Sequence, residues 1–380
     1  MIRIFDIGAL PVARLAARPV ARPVTRPVTR PVTRPVIQLA IAIAVVFIAA
    51  CGGGSDGGGS NTTVAATNGT GTTSTGTTST GTTSVDTTTA GTSTAGTAVT
   101  GSTTAATTAN GTAGVACTYS YSAFNSSSSV NAISMSNWTC SATVRALSAN
   151  GLPDHAVGTF PNAGNPNTIA AQAISASLSL NPSATATVTT VGGPRTTGYV
   201  LNGVKIDAST AGTCNDTGTC TAIGNIGTWN IEAINSGFSF GTDSNNAHVQ
   251  PGGAYHYHGM PEGFISKLGK GQAMTLIGWA ADGFPIYARY GFSAATDATS
   301  AIKVIKSSYQ FKANVAANRP ATSQYKLGTF QQDYEFVAGL GDLDECNGRT
   351  GVTPEFPNGI YHYYATDTYP FLQRCVKGQL

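Results

Sequence analysis

From residue 115 onward, apolar and polar positions alternate with a period of two. Thr185-Ala-Thr-Val-Thr-Thr190, Gly198-Tyr-Val-Leu-Asn-Gly203 and Met274-Thr-Leu-Ile-Gly-Trp279 read as strands bounded by Gly, Pro or Asn. Asn-Gly or Asp-Gly pairs beginning at 150, 202, 282, 347 and 358 supply tight turns between such runs. No stretch of twelve or more residues carries an apolar stripe at helical spacing. The best short helix candidates are Ile169–Ala176 and Gln331–Val337. The pattern predicts a mainly β, sandwich-like domain over 115–380, with long structured loops and few short helices.

The alternation is absent upstream. Residues 52–114 contain no aromatic residue, no Lys and no Arg, and GTTST at 71 and 76 is followed by GTTSV at 81. A repeat this short, built from such small residues, has no core to stack, so 51–114 is expected to be a disordered tether. Its mean reach is roughly 45 Å for a flexible Gly-rich chain. Before it, Leu39–Ala50 is a run of twelve apolar residues, too short for a bilayer-spanning helix of about 20. It suits the apolar part of a signal peptide over 1–50. Ile48-Ala49-Ala50-Cys51 resembles the lipobox of bacterial lipoproteins, which makes Cys51 the expected lipidated residue. Gly52 stands where an Asp would mark inner-membrane retention, so the expected address is the outer membrane of a Gram-negative bacterium.

Charge follows the same division. The full chain has 21 basic and 18 acidic residues, but 7 basic and 1 acidic lie in residues 1–50. The remaining 330 residues therefore hold 14 against 17, a formal −3. The basic excess belongs to the targeting segment, which argues against nucleic acid as a partner. Six cysteines remain after Cys51, namely Cys117, Cys140, Cys214, Cys220, Cys346 and Cys375. None forms a CxxC pair, and an exported chain oxidises its thiols, so three disulfides are expected. Six cysteines allow fifteen pairings. Local spacing favours Cys117–Cys140, Cys214–Cys220 and Cys346–Cys375.

Of five histidines, three fall in His248-Val-Gln-Pro-Gly-Gly-Ala-Tyr-His256-Tyr-His258. Residues i and i+2 of a strand share a face, with Cα atoms about 6.6 Å apart, so His256 and His258 can reach one ion while Tyr255 and Tyr257 face away. Pro251-Gly-Gly253 can turn the chain back and bring His248 to the same ion. Imidazole suits transition metals, with copper or zinc as first choices. The alternative is a set of packed, hydrogen-bonded histidines. Gly359-Ile-Tyr-His362-Tyr-Tyr364 parallels Gly253-Ala-Tyr-His256-Tyr-His258 with Tyr364 in place of the last histidine, which makes His362 a further candidate ligand. Asp342, Asp344, Glu345 and Glu355, with Asn347-Gly348 among them, suggest a weak calcium loop; its glycine is one place late and Thr353 stands at the twelfth position. Asp344 or Asp282 is otherwise a carboxylate ligand or a group orienting a histidine, with a simple turn as the alternative at Asp282-Gly283.

Residues 145–380 resemble the YHYH-domain proteins. The blocks are Asn150-Gly-Leu-Pro-Asp-His155, Phe160-Pro-Asn162, Asn165-Pro-Asn167, His248-Val-Gln-Pro251, Tyr255-His-Tyr-His-Gly259, Asp282-Gly-Phe-Pro-Ile-Tyr287, Asp342-Leu-Asp-Glu-Cys-Asn-Gly348 and Thr353-Pro-Glu-Phe-Pro357. The resemblance implies an exported or lipid-anchored protein and brings no reaction with it. It does raise His155 to a candidate site residue. Three functions fit: a metal-binding envelope lipoprotein, a metal-dependent hydrolase or oxidoreductase using the same histidines, and a metal-free surface module whose Tyr and Trp contact glycan or protein. Three converging ligands with one open coordination position favour the second over the first, and histidines packed against Tyr rings without convergent geometry favour the third.

The lipid anchor has a direct test. Cys51→Ser is expected to move the protein from the membrane fraction to the soluble one; fractionation unchanged from the parent would remove the anchor.

Overall fold

The computed structural model describes residues 111–191, 195–235 and 237–380. The expected signal peptide, the expected lipidation at Cys51 and the expected tether up to residue 110 lie outside the described residues. The chain enters the fold early: Thr112 is fully buried and its hydroxyl donates to Leu180 O at 3.0 Å.

Two sheets carry the fold. Strands β1 (Ser120–Asn125), β2 (Ala132–Cys140), β3 (Val144–Ala149) and β4 (Ile174–Ser179) form an antiparallel meander in sequential order. A larger mixed sheet contains β5 (Thr196–Val200), β6 (Lys205–Asp207), β7 (Ala247–Val249), β8 (Tyr255–Tyr257), β9 (Thr275–Ala280), β10 (Pro285–Ala288), β11 (Gly348–Gly351) and β12 (Ile360–Ala365). Their spatial order is β7-β8-β6-β5-β9-β10-β12-β11. Only β8 with β6 and β10 with β12 run parallel. All six residues of β9 and all six of β12 are buried. Strands covered on both faces read as continuous apolar and aromatic runs, as these do.

The sheets pack face to face. Trp138, Leu147 and Leu178 from the meander share one core with Val200, Ile277 and Trp279 of the larger sheet. Polar bonds fix the seam. Trp138 Nε1 and the Ser136 hydroxyl both donate to Leu201 O, at 2.9 and 2.8 Å. The Arg145 guanidinium lies 3.6 Å above the Trp279 ring and donates to Thr112 O at 2.7 Å. Burial pulls its pKa down to about 9, so it remains a cation at neutral pH with a π face and carbonyls as its partners. Cys117–Cys140, Cys214–Cys220 and Cys346–Cys375 form the three disulfides that local spacing favoured.

Both helix expectations are corrected. In the first, Ile174–Ser179 is strand β4, with Ile174 opposite Ala149. In the second, one 3₁₀ turn at Gln331–Asp333 leads into the strand Tyr334–Phe336. Tertiary pairing overrides weak propensity in each. The one α-helix among the described residues, α1 (Glu262–Leu268), follows Pro261 and ends at Gly269 with φ +62°. Seven residues that bury only Phe264 leave no stripe to detect.

The Asn202-Gly203 turn presses against the meander. Gly203 has φ +83°, and a Cβ there would overlap the Ala149 side chain. Left-handed strain plus overpacking predicts a loss of about 2–4 kcal/mol for Gly203→Ala. A urea midpoint equal to the parent's would contradict this packing.

Candidate metal centre

The centre is built on one hairpin. His248 on β7 lies opposite His256 on β8 in antiparallel register. The turn between them closes through Gly253 N to Gln250 O at 2.9 Å, with Gly252 and Gly253 at φ +91° and +89°. Two consecutive positive φ values require the two glycines. His258 follows β8 on the face of His256, and its amide donates to Asn246 O at 2.8 Å.

The three imidazoles point their Nε2 atoms at one another. His258 Nε2 is 3.0 Å from His248 Nε2 and 2.9 Å from His256 Nε2. His248 Nδ1 donates to Phe240 O at 2.9 Å and His256 Nδ1 to Ala254 O at 3.1 Å. A carbonyl only accepts, so both Nδ1 atoms carry the proton and both Nε2 atoms present lone pairs. A proton on His258 Nε2 would satisfy one of these contacts and leave the other as lone pair against lone pair. A cation at the centre satisfies all three. Tetrahedral Zn–N bonds of about 2.0–2.1 Å put the nitrogens about 3.3 Å apart, so uptake needs an outward shift of a few tenths of an ångström.

Burial sets the charge state. His256 and His258 are 1% exposed and His248 is 7% exposed. Desolvation is the largest cause lowering all three below the usual histidine value, well below for His256 and His258. The neighbouring imidazoles and Lys205 push His256 and His258 the same way, and Arg374 adds to His258. The trio is therefore neutral at pH 7, the form a metal requires. It faces a cavity of roughly 250 Å³ bounded by Asn167, Thr210, Ile223 and Phe240 among others, with no charged side chain in its lining. Among the described residues, these three form the one group of three or more potential ligands.

The structure does not bring the other candidates to the centre. His155 Nε2 accepts from the Tyr257 hydroxyl at 2.5 Å, on the face away from the trio. Asn202 Nδ2 donates to Tyr257 Oη at 3.0 Å and to Asp154 Oδ1 at 2.9 Å. The Asp154-His155 pair thus clamps the back of β8. His362 Nδ1 donates to Ile360 O at 2.9 Å, and its Nε2 is 3.2 Å from the Tyr364 hydroxyl. Asp282 accepts from the Tyr363 hydroxyl at 2.6 Å and Gly378 N at 2.9 Å. Asp344 accepts from Cys346 N and Gly348 N, both at 3.0 Å, and from Tyr361. With Asp342 on Lys303 and Glu345 on Lys377, these carboxylates have protein donors and are not gathered as a calcium site. Sequence reading missed Asp243, whose Oδ2 accepts from the Tyr255 hydroxyl at 2.8 Å, and the Phe240 carbonyl that orients His248. A backbone acceptor leaves no mark in the sequence, and Asp243 sits in an ordinary turn-like string.

A family model described as "YHYH protein" matches residues 175–378. The blocks between 150 and 167, including the clamp histidine, lie before the matched stretch. No curated protein and no solved structure matches the chain.

The buried histidines make stability depend on pH. The pKa values of His248, His256, His258 and His362 in the folded chain lie below the unfolded value near 6.5, with His362 pulled down to about 3 by burial. Below pH 6.5 the unfolded chain takes up protons that the folded chain does not. Stability is therefore present above 6.5 and lost as pH falls, at up to about 1.4 kcal/mol per pH unit for each such histidine. The urea midpoint of metal-free protein is expected to drop between pH 6.5 and 5; a flat profile there would contradict neutral buried imidazoles.

Proposed function

We propose that this chain, which belongs to the YHYH family, is a lipid-anchored envelope protein that holds one Zn²⁺ or Cu²⁺ ion on His248, His256 and His258. The observation that carries the reading is the convergence of three Nε2 atoms on one point, with two tautomers fixed by carbonyls behind them. The metal-free surface module called for histidines that do not converge.

Three protein ligands beside a cavity leave a coordination position for water or an incoming ligand, the arrangement of catalytic rather than closed structural zinc sites. A dication on three neutral imidazoles has no countercharge among its ligands. Held by His248, His256 and His258, such an ion would supply Lewis acidity, which brings the pKa of a bound water towards about 7. This supports metal-dependent hydrolysis, or redox chemistry with copper, on a small molecule entering the cavity. The tether holds the domain off the membrane that Cys51 engages.

The test is calorimetric titration of metal-free protein with Zn²⁺ and Cu²⁺. One equivalent per chain is expected for the parent, and none at this site for His256→Ala/His258→Ala. A parent that binds neither ion at neutral pH would return the protein to the surface-module reading.

A further inference from the structure

The larger sheet repeats itself about its centre. β5 and β9 pair antiparallel with Tyr199 opposite Trp279, Gly198 opposite Ala280 and Val200 opposite Gly278. The bonds beyond the strands are reciprocal: Leu201 N donates to Ile277 O and Ala281 N to Thr197 O, both at 2.8 Å. Each strand then turns into its own hairpin in the same register. Gly198 lies opposite Ile206 as Gly278 lies opposite Ile286, and each hairpin slips by one residue at the matching place, between 196 and 198 and between 276 and 278. β6 pairs in parallel with β8, Ile206 beside Tyr257. β10 pairs in parallel with β12, Ile286 beside Tyr363. The outer strands complete the match, His248 opposite His256 and Arg349 opposite His362.

Side chains follow the same rule. Asp243 accepts from the Tyr255 hydroxyl, and Asp344 from the Tyr361 hydroxyl. Asn202 and Asp282, each at the head of a turn, bond the hydroxyls of Tyr257 and Tyr363. Asn246 and Asn347 both have positive φ, +55° and +63°, and their carbonyls accept from the amides of His258 and Tyr364. Chance resemblance of two strands does not extend to register, slip, turn conformation and hydroxyl partners together.

We infer that the sheet is a duplicated four-stranded unit whose second copy carries a closed transition-metal site, with Arg349, His362 and Tyr364 standing where His248, His256 and His258 stand in the first. His362 keeps the ligand geometry: Nδ1 donates to Ile360 O as His256 Nδ1 donates to Ala254 O, leaving Nε2 as an acceptor. Tyr364 closes the site by donating its hydroxyl proton to that Nε2 at 3.2 Å. Arg349 donates to the same hydroxyl at 3.2 Å and puts a fixed cation where the first copy has a neutral imidazole. The Tyr364 hydroxyl also packs against Gly291, so the space that is a cavity beside His258 is filled here. The native chain therefore holds one metal, and two substitutions restore a second site.

The inference rests on the proposed function for its chemistry, and its test separates the two. The full chain is stripped with chelator, dialysed against Zn²⁺ or Cu²⁺, and its bound metal counted. Arg349→His/Tyr364→His is expected to hold one equivalent more than the parent. In a background of His256→Ala/His258→Ala, the same pair is expected to raise the count from zero to one. The parent's count tests the proposed function, and the gain tests this inference. Because the double substitution also removes the Arg349 bond to Phe292 O, Tyr364→His alone provides a second arm. It keeps Arg349 and is expected to bind Cu²⁺ more weakly through His362 and the new imidazole. No gain in either variant, with melting transitions showing both folded, would overturn the duplication as an account of this site.

Discussion

A strand buried on both faces must find a partner for every polar tip it carries, and β8 carries little else. Tyr255, His256, Tyr257 and His258 are all at most 1% exposed. An unpaired buried hydroxyl or imidazole nitrogen costs about 1–3 kcal/mol, so four such residues in a row would be untenable without arranged partners. The surrounding chain supplies them. Asp243 takes one phenol, His155 and Asn202 take the other, and carbonyls of Phe240 and Ala254 take imidazole protons of His248 and His256. What these partners leave over is three Nε2 atoms aimed at one point, together with His258 Nδ1, which is buried without a partner among the described residues. The candidate centre is the remainder of that satisfaction problem, and the phenol face is what holds the imidazole face still.

The same logic explains what could be read from the sequence. Alternation in Tyr255–His258 gave the split into a tyrosine face and a histidine face, and the Pro-Gly-Gly turn made His248 reachable, because both signals are local. The three disulfides were legible for the same reason. His155 was legible as important but not as to its role: it stands 102 residues from the Tyr257 hydroxyl it serves, and only the folded chain reveals whether an imidazole holds a metal or a phenol. Asp282 and Asp344 misled in the same way, being acceptors for tyrosine hydroxyls rather than ligands. Arg145, fully buried over Trp279, departs from the usual exposure of Arg side chains, and nothing local in its strand marks it. Helix α1 stayed hidden because one buried side chain makes no period.

The repetition of the sheet separates scaffold from chemistry. Positions kept in both halves are those that bend the backbone or bond a phenol: the glycines at 203 and 283, the asparagines at 246 and 347, the aspartates at 243 and 344. At the three positions that face the centre, His256 is matched by His362, while His248 and His258 give way to Arg349 and Tyr364. One backbone accepts either three imidazoles or an Arg-His-Tyr set there; in the second the Tyr364 hydroxyl lies between His362 Nε2 and the Arg349 guanidinium.

All three centre histidines lie within eleven residues, on a hairpin closed by a short turn. Closing so short a loop costs little chain entropy, whereas docking β8 beside β6 pairs Tyr257 with Ile206 across a long intervening segment. In the order of assembly the three imidazoles are therefore neighbours before they are buried, and on the proposed function an ion present during folding would meet a local three-nitrogen cluster first. On the proposed function, any affinity of that open hairpin for metal would belong to the unfolded ensemble and would subtract from the stabilisation a bound ion gives the finished domain. The compactness of the motif makes the site easy to assemble and, for the same reason, limits how far metal alone can hold the fold.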